Sequence, residues 1–413
     1  MSASLGIAIV GASVAGSKTA AALRSSGYEG PITLIGAETE LPYDKPPLSK
    51  QVLAGTMTDT QNALLSGEEA EQANIILKLG SPAVALDTEA RFVTLADGDK
   101  LSYESLVVAT GVRARPSPWG QPAGVHLLRT LEDARALRTD LLAGGRLVVI
   151  GGGFIGSEVS ATASRLGMAV QIVDPVPVPM ARILGHEIGG MMSALHTRYG
   201  VETFFGTGVI DITVDGPETA TTGRPTLSVH LDSGEVLTAD TVVVGIGTVT
   251  NHEWLEHSGL ILDNGVVCDQ YSRAIGKPDV YAVGDIARWL HPRHDALVRT
   301  EHWTTAVEQA ACVAHNLTHP DDLKEFAPVE YVWSDQYDWK VQITGRTGAQ
   351  TQLTLTDDSV PDRMAVLYSD DGTNYSGAMT INWPKVLMSC RRAIGTGVTI
   401  HELHEKLVAS TVR

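Results

Sequence analysis

Two glycine turns, each with an acid a fixed distance beyond it, are where this chain can do chemistry. Gly11 and Gly16, with Ser13 between them, close the apolar run "GIAIVGA", and Gly151, Gly153 and Gly156 close "RLVVIGGG". Glycines spaced this way allow a tight strand-to-helix turn, a close backbone approach to pyrophosphate and close helix–strand packing. The N–H groups at the start of the next helix then face an anion. An acid near the end of the following strand can hold ribose hydroxyls. Asp174 ends "AVQIVD" 18 residues after Gly156, and Glu38 follows "PITLIGA" 22 residues after Gly16; the dinucleotide fingerprint expects about 20. The second turn matches in full, and the first departs at Ser13. Asp174 is followed by Pro175 and Val176, and its carboxylate repels a 2′-phosphate, so NADH is expected over NADPH. Arg182, nearby in sequence, is the group that would act the other way.

Further residues fit the same chemistry. "LVVATGVRARP" is a strand ending in Ala109, Thr110 and Gly111, a tight exit between domains. "TVVVGIG" ends at Gly247, and "DVYAVGDIA" places Asp285 directly after Gly284, where an aspartate can bind a ribityl or pyrophosphate-linked hydroxyl. Two dinucleotide sites in one chain point to electron transfer between NAD(P)H and FAD. Glu158, two residues past Gly156, has two readings. It is either an acid complementing the helix N-terminus, worth about 0.3–1 kcal/mol, or a carboxylate at the redox centre paired with Lys50.

These residues need positioning elements. "GIAIVGA", "SVAGSKTAAALRSSG" and "PITLIGAE" read as strand, helix and strand, and so do "RLVVIGGG", "FIGSEVSATASRLG" and "AVQIVD". Apolar, β-branched runs of this length suit strands buried on both faces of a parallel sheet. "GVVCDQYSRA" reads as another short strand. After about residue 325, "VEYVWSDQYDWKVQITG" and "RMAVLYSDDGTNYSGAMTIN" read as strands, the latter pair turning at Asp370-Asp371-Gly372, and "WPKVLMSCRRAIGTGVTIHELHEKLV" as helical pieces. The expected fold is α/β, two Rossmann-like dinucleotide-binding domains plus a C-terminal α+β domain. The expected segments are 1–115 and 245–325 for FAD, 116–244 for NAD and 326–413 for the C-terminal domain.

Composition narrows the function classes. A chain of 413 residues with 43% hydrophobic and 19% charged residues is globular and multidomain. A net charge of −17 opposes nucleic-acid and anionic-membrane binding. No apolar run spans a bilayer, and "MSASLG" lacks the features of a signal peptide. The three cysteines, Cys268, Cys312 and Cys390, form no CxxC pair, so no disulfide framework or metal site is indicated and a cytoplasmic location is expected.

"LPYDKPPLSK", "ATG", "GGGFIGSE", "VVVGIG", "DVYAVGDIA", "EHWTTAVEQA" and "YVWSDQYD" occur in this order along essentially the whole chain. In this the chain resembles the FAD-dependent ferredoxin reductases of bacterial cytochrome P450 and Rieske dioxygenase systems, which have a glutathione-reductase-like architecture. The resemblance implies NADH and FAD as cofactors, hydride transfer from NADH to FAD, and two single-electron transfers to a 2Fe-2S ferredoxin. It implies that Ala15 and Glu38 hold the ADP half of FAD, with Gly11, Ser13 and Gly16 forming the turn. Val84 would contact adenine through its backbone, Lys50 and Arg129 would lie by the flavin, Asp285 by the ribityl chain, and Trp303 would open a helix facing the pyrimidine ring. Lys45 stands where arginine is usual and keeps the charge without the planar fork. Phe154 and Ile155 would be among the cofactor-binding residues, and Glu158 would lie near the nicotinamide. Lys50, Glu158 and Trp333 are the candidate catalytic residues, Trp333 between flavin and surface or as a packing residue. A monomer is expected.

The acceptor is less determined. Arg293, Arg299, Lys340, Lys385, Arg391 and Arg392 are candidate contacts for an acidic ferredoxin. Rubredoxin, monodehydroascorbate or a quinone remain as alternative acceptors, and a non-enzymatic NADH-sensing flavoprotein is the rival from another class. Thiol chemistry is disfavoured because the first cysteine is Cys268.

Overall fold

The computed structural model describes residues 5–215, 226–348, 351–357 and 359–411; the start of "MSASLG" lies outside them. The chain forms two compact units. The first comprises residues 1–46, 58–113 and 248–328, and the second residues 47–57, 114–247 and 329–413.

The first unit is built on a parallel sheet ordered Val280–Ala282, Ser105–Val108, Ile7–Val10, Ile32–Ile35, Ile75–Lys78. Its strands are short and, in four of the five, apolar or nearly so, and Ile9, Ile32, Leu34 and Leu106 are fully buried, as expected for a sheet covered on both faces. The helix Val14–Ser25 follows the first strand and packs with the helix Trp303–Thr318. Between the third strand and Ser105–Val108 the chain makes an antiparallel meander, Ala83–Asp87, Phe92–Leu95 and Lys100–Ser102.

The second unit repeats the plan. Its parallel sheet runs Glu202–Phe205, Ala169–Asp174, Arg146–Ile150, Thr241–Val244, Val125–His126. The helix Phe154–Arg165 follows the central strand, and a meander of Val209–Asp215, Thr226–Leu231 and Val236–Ala239 comes just before Thr241–Val244 in sequence. A five-stranded antiparallel sheet completes this unit, in the order Tyr331–Gln336, Trp339–Gly345, Gly377–Ile381, Met364–Ser369, Thr351–Thr356. The helices Pro384–Ala393 and Ile400–Thr411 follow it. Val341, Ile343, Met379 and Ile381 of this sheet share one core with Leu147, Val149 and Val159. The turn expected at Asp370-Asp371-Gly372 is present: Gly372 has φ +77°, and Met364 pairs with Ile381.

Residues 47–57 belong to the second unit although they lie early in the chain. Leu53, fully buried, joins the core with Leu137 and Leu141 of the helix Leu131–Leu142. Thr162 Oγ1 donates to the Ser49 carbonyl at 2.8 Å. At Gly55, φ is +75°, the left-handed conformation that favours glycine.

Candidate active site

The second glycine turn forms as its residues dictate. Gly151 has φ +111°, and a Cβ there would lie 2.3 Å from the Gly245 carbonyl oxygen; one on Gly156 would lie 2.0 Å from the Gly151 oxygen. Gly153 is different. It is the N-cap of the Phe154–Arg165 helix, its side-chain position is open to 4 Å, and no side chain caps the helix. A helix start with uncapped N–H groups beneath open space fits a phosphate. Ile155 is exposed beside Phe154, which is half-buried. The half-buried Asp174 accepts the Gly152 N–H at 2.7 Å and the Val176 N–H at 2.8 Å, which fixes its carboxylate at the turn. Arg182 is exposed on the short helix Ala181–Leu184.

The first turn has the same backbone. Gly11 has φ +115° with its Cβ direction blocked by the Ala109 oxygen at 2.1 Å, and a Cβ on Gly16 would lie 1.8 Å from the Gly11 oxygen. Ser13 is the N-cap, yet its side chain does not cap, so this helix start is also available. Ala15 is buried, and its Cβ lies 3.0 Å from where a Cβ on Gly284 would be. Glu38 Oε1 pairs with Lys45 Nζ at 2.8 Å, its other oxygen accepts from the Tyr43 hydroxyl, and the Lys45 ammonium lies 4.2 Å from the centre of the Tyr43 ring. Val84 is exposed on its meander strand.

Other expected residues of the first unit surround this turn. Ala109 is buried, and Gly111 has φ +61°. Asn251 secures the exit: its side chain donates to the Thr110 carbonyl at 2.8 Å, its N–H donates to Gly111 O, and Thr110 Oγ1 donates to Asn251 O. Gly284 has φ +76°; its N–H donates to Gln309 Oε1 at 2.8 Å, and Gln309 Nε2 donates to Ser272 Oγ at 2.9 Å, with Gln309 fully buried. Asp285 follows, and its carbonyl accepts from Arg299. Trp303 opens its helix and donates from Nε1 to Asp44 Oδ1 at 2.8 Å. Close by in sequence, Thr300 Oγ1 is buried with no hydrogen-bond partner, an orphaned group of the kind a bound molecule satisfies. Open helix starts, strained glycines and this orphan fit two dinucleotides.

The second unit brings Lys50 to Glu158. Lys50 Nζ donates to Glu158 Oε2 at 2.8 Å, and the Ser49 hydroxyl donates to the same oxygen. Ser334 Oγ donates to Oε1 at 2.8 Å. Glu158 is only 3% exposed, so its charge is tolerable because the cation and two hydroxyl donors compensate it. This pairing is not what a helix-terminus acid would show. Arg129 is half-buried just before the Leu131–Leu142 helix, its N–H donating to Asp133 at 2.9 Å. Gly247, φ +101°, accepts the Arg115 N–H at 2.9 Å. Trp333 is half-buried, its ring 6.0 Å from that of Tyr331.

A family model described as pyridine nucleotide-disulphide oxidoreductase matches residues 6–310, and one described as reductase C-terminal matches residues 331–407. The chain belongs to the pyridine nucleotide-disulphide oxidoreductase family. Within that family it is 38% identical to rhodocoxin reductase of Rhodococcus erythropolis over 95% of this chain and 90% of the relative. It is 36% identical to putidaredoxin reductase of Pseudomonas putida over 93% of this chain and 90% of the relative. Among solved structures, the covalent putidaredoxin reductase–putidaredoxin complex superposes with a TM-score of 0.90 at 33% identity, covering 99% of both chains. The two-Rossmann fold with a C-terminal α+β part is the family's fold.

Although the family is named for disulphide chemistry, the three cysteines here are free and lie far from both turns in sequence. Cys268 is fully buried with its thiol pushed far up by desolvation, Cys312 is raised to about 11 and Cys390 to about 12 by the same cause. None of the three is a thiolate at neutral pH.

The sequence reading missed Ser49, Ser334, Asn251 and Gln309. Ser49 and Ser334 lay inside the quoted "PPLSK" and "YVWSDQYD", but a serine has no periodicity or charge to mark it. Of the docking candidates, Arg293 donates to the Pro328 and Ala327 carbonyls and Arg299 to Asp285 O and Glu301. Lys340 lies 4.0 Å from Asp335, and Arg391 lies over the Tyr331 ring at 5.5 Å. Lys385 and Arg392 are exposed on the Pro384–Ala393 helix. Among the described residues, no helix is long and apolar enough to cross a membrane.

Proposed function

We propose that this protein is an FAD-dependent NADH:ferredoxin reductase, passing electrons to a 2Fe-2S ferredoxin that feeds a cytochrome P450 or Rieske oxygenase. The observation that carries this reading is the buried Lys50–Glu158 pair next to the second glycine turn, with no cysteine in its place. Relatives in this family include the ferredoxin–NAD(+) reductase components of anthranilate and p-cumate dioxygenase systems.

Bound FAD supplies the step from two electrons to one, accepting a hydride from NADH and releasing electrons singly. The chain's residues bind, orient and compensate charge. The open helix starts after Ser13 and Gly153 receive the two pyrophosphates, with the glycines giving the backbone its close approach. Glu38 and Asp174 take ribose hydroxyls, and Asp174 disfavours the 2′-phosphate of NADPH. Val84 borders adenine, and Asp285 faces the ribityl chain. Trp303 begins the helix whose N–H groups favour negative charge on the reduced ring. Lys50, held by Glu158, adds a fixed positive charge in a site shielded from water. Arg129 would lie by the flavin, and Trp333 would stand between flavin and acceptor. The chain functions as a monomer in the cytoplasm, a location its three unpaired thiols suit.

The test is anaerobic. Mixing the yellow holoprotein with NADH and a 2Fe-2S ferredoxin is expected to bleach the iron–sulfur band quickly and only with the flavoprotein present. Fast flavin reduction without transfer to any of a panel of such ferredoxins would move the reading to rubredoxin or a small-molecule acceptor. Slow flavin reduction by NADH would favour an NADH-sensing protein.

A further inference from the structure

Glu158 has two carboxylate oxygens in unequal surroundings. Oε2 receives Lys50 and Ser49, and Oε1 receives Ser334. Ser334 comes from the strand Tyr331–Gln336, in the antiparallel sheet far along the chain. Alternation along that strand places Ser334 and Gln336 on one face and Trp333 on the other. Ser334 and Gln336 are both fully buried. Gln336 Nε2 donates to Ser334 Oγ at 3.1 Å, so the hydroxyl's single proton is directed to Glu158. The Gln336 amide oxygen has no hydrogen-bond partner, so this amide serves the serine alone. Among the described residues, Lys50 is the charged group hydrogen-bonded to Glu158.

We infer that Ser334, oriented by Gln336, is a positioning residue for Glu158: it holds Oε1 so that Oε2 stays with Lys50. The inference rests on the reductase reading for its kinetic consequence and on the hydrogen bonds alone for its electrostatic one. A buried carboxylate that loses a donor is harder to ionise. The terminal sheet is thus part of the redox site's hydrogen bonding as well as a packing partner for the nucleotide sheet of its own unit.

The experiment compares the wild-type holoprotein with Ser334→Ala, Ser334→Thr and Gln336→Leu. Carboxyl ¹³C NMR titration of Glu158 is expected to move towards higher pH in S334A, by less in Q336L, and to return in S334T. Stopped-flow reduction by NADH is expected to show a limiting rate about tenfold lower in S334A, with the apparent Kd for NADH changed less than about twofold. An unchanged Glu158 titration in S334A overturns the inference, and so does equal slowing in S334A and S334T, which would mark a packing role. Should wild type itself resist reduction by NADH, the reductase reading fails while the titration still decides the positioning role. Should S334A fail to fold, Q336L decides it, a wild-type titration again being the overturning result.

Discussion

The two glycine turns share a backbone and diverge two residues past the third signature position. In the first helix that place is Lys18, half-buried and next to Ser17, whose hydroxyl returns to the Ser13 carbonyl of its own turn. In the second it is Glu158, which reaches Lys50 and Ser49 from residues 47–57 and Ser334 from the terminal sheet. The acids differ as well. Glu38 is held by side chains, Lys45 and Tyr43, and Asp174 by backbone N–H groups. The lesson is that the turn itself supplies anion binding through peptide groups, which any sequence with these glycines offers. The turns differ in the side chain two residues past the third signature position and in the partners that make its burial tolerable, which is the difference the proposed redox role rests on.

The largest expected effect tests what is common to the turns. An alanine at Gly16 or Gly156 drives a Cβ to within 2.0 Å of a backbone oxygen, with no flexible atom to yield. Gly16→Ala should yield protein without yellow colour. Gly156→Ala should keep its flavin and lose NADH affinity by about 100-fold or more, the scale of a local penalty above about 3 kcal/mol. Flavin loss from Gly156→Ala, read from the absorbance spectrum, would break the assignment of one nucleotide to each turn.

A smaller effect tests the divergence. Glu158→Gln leaves Lys50 buried without its carboxylate and should slow flavin reduction by about 10- to 100-fold. Lys18→Gln should leave it within about twofold, as exposed or partly exposed charges usually do. Stopped-flow traces of the two variants side by side measure this, and similar rates would mean that the second position carries no redox role.

The smallest effect concerns the second unit as a body. His196 lies buried against Tyr337, whose hydroxyl meets its Nδ1 at 2.9 Å, and burial lowers its pKa to about 4. The neutral imidazole therefore stabilises the fold fully above pH about 6.5, and that contribution falls as pH drops towards about 4. The expected loss is about 2 kcal/mol between pH about 7.5 and pH about 5. His196→Gln should remove this part of the acid sensitivity. Urea midpoints at the two pH values check it, and an unchanged pH dependence in the variant would assign the sensitivity elsewhere.

The parallel strands, both glycine turns and the Gly372 hairpin were legible in the sequence because each has a local signature: an apolar run, a glycine with forced φ, a turn dipeptide. Glu38 and Asp174 were legible by spacing. The meander of the first unit was not, because its strands are short and half-exposed, as in Ala83–Asp87. Nor was the outer strand Val125–His126, only two residues long. The assignment of residues 47–57 to the second unit depends on Leu53 finding Leu137 and Leu141, a long-range packing choice without a local mark. Ser49 and Ser334 could be named as members of motifs, but their common partner became visible only once three distant stretches were placed together.

The fifth strand of the first sheet, Val280–Ala282, carries a cost in time during synthesis. Residues 114–247, most of the second unit, are made before the chain returns to the first. At roughly 5–20 residues per second that interval lasts roughly 7–27 s. Throughout it Ser105–Val108 is a bare sheet edge of four residues, three of them destined for full burial. The nascent first sheet is thus exposed to wrong pairing for at least as long as those residues take to emerge. Only when Val280–Ala282 and the helix Trp303–Thr318 arrive can the first unit close, and the second closes later still, once residues 329–413 are made.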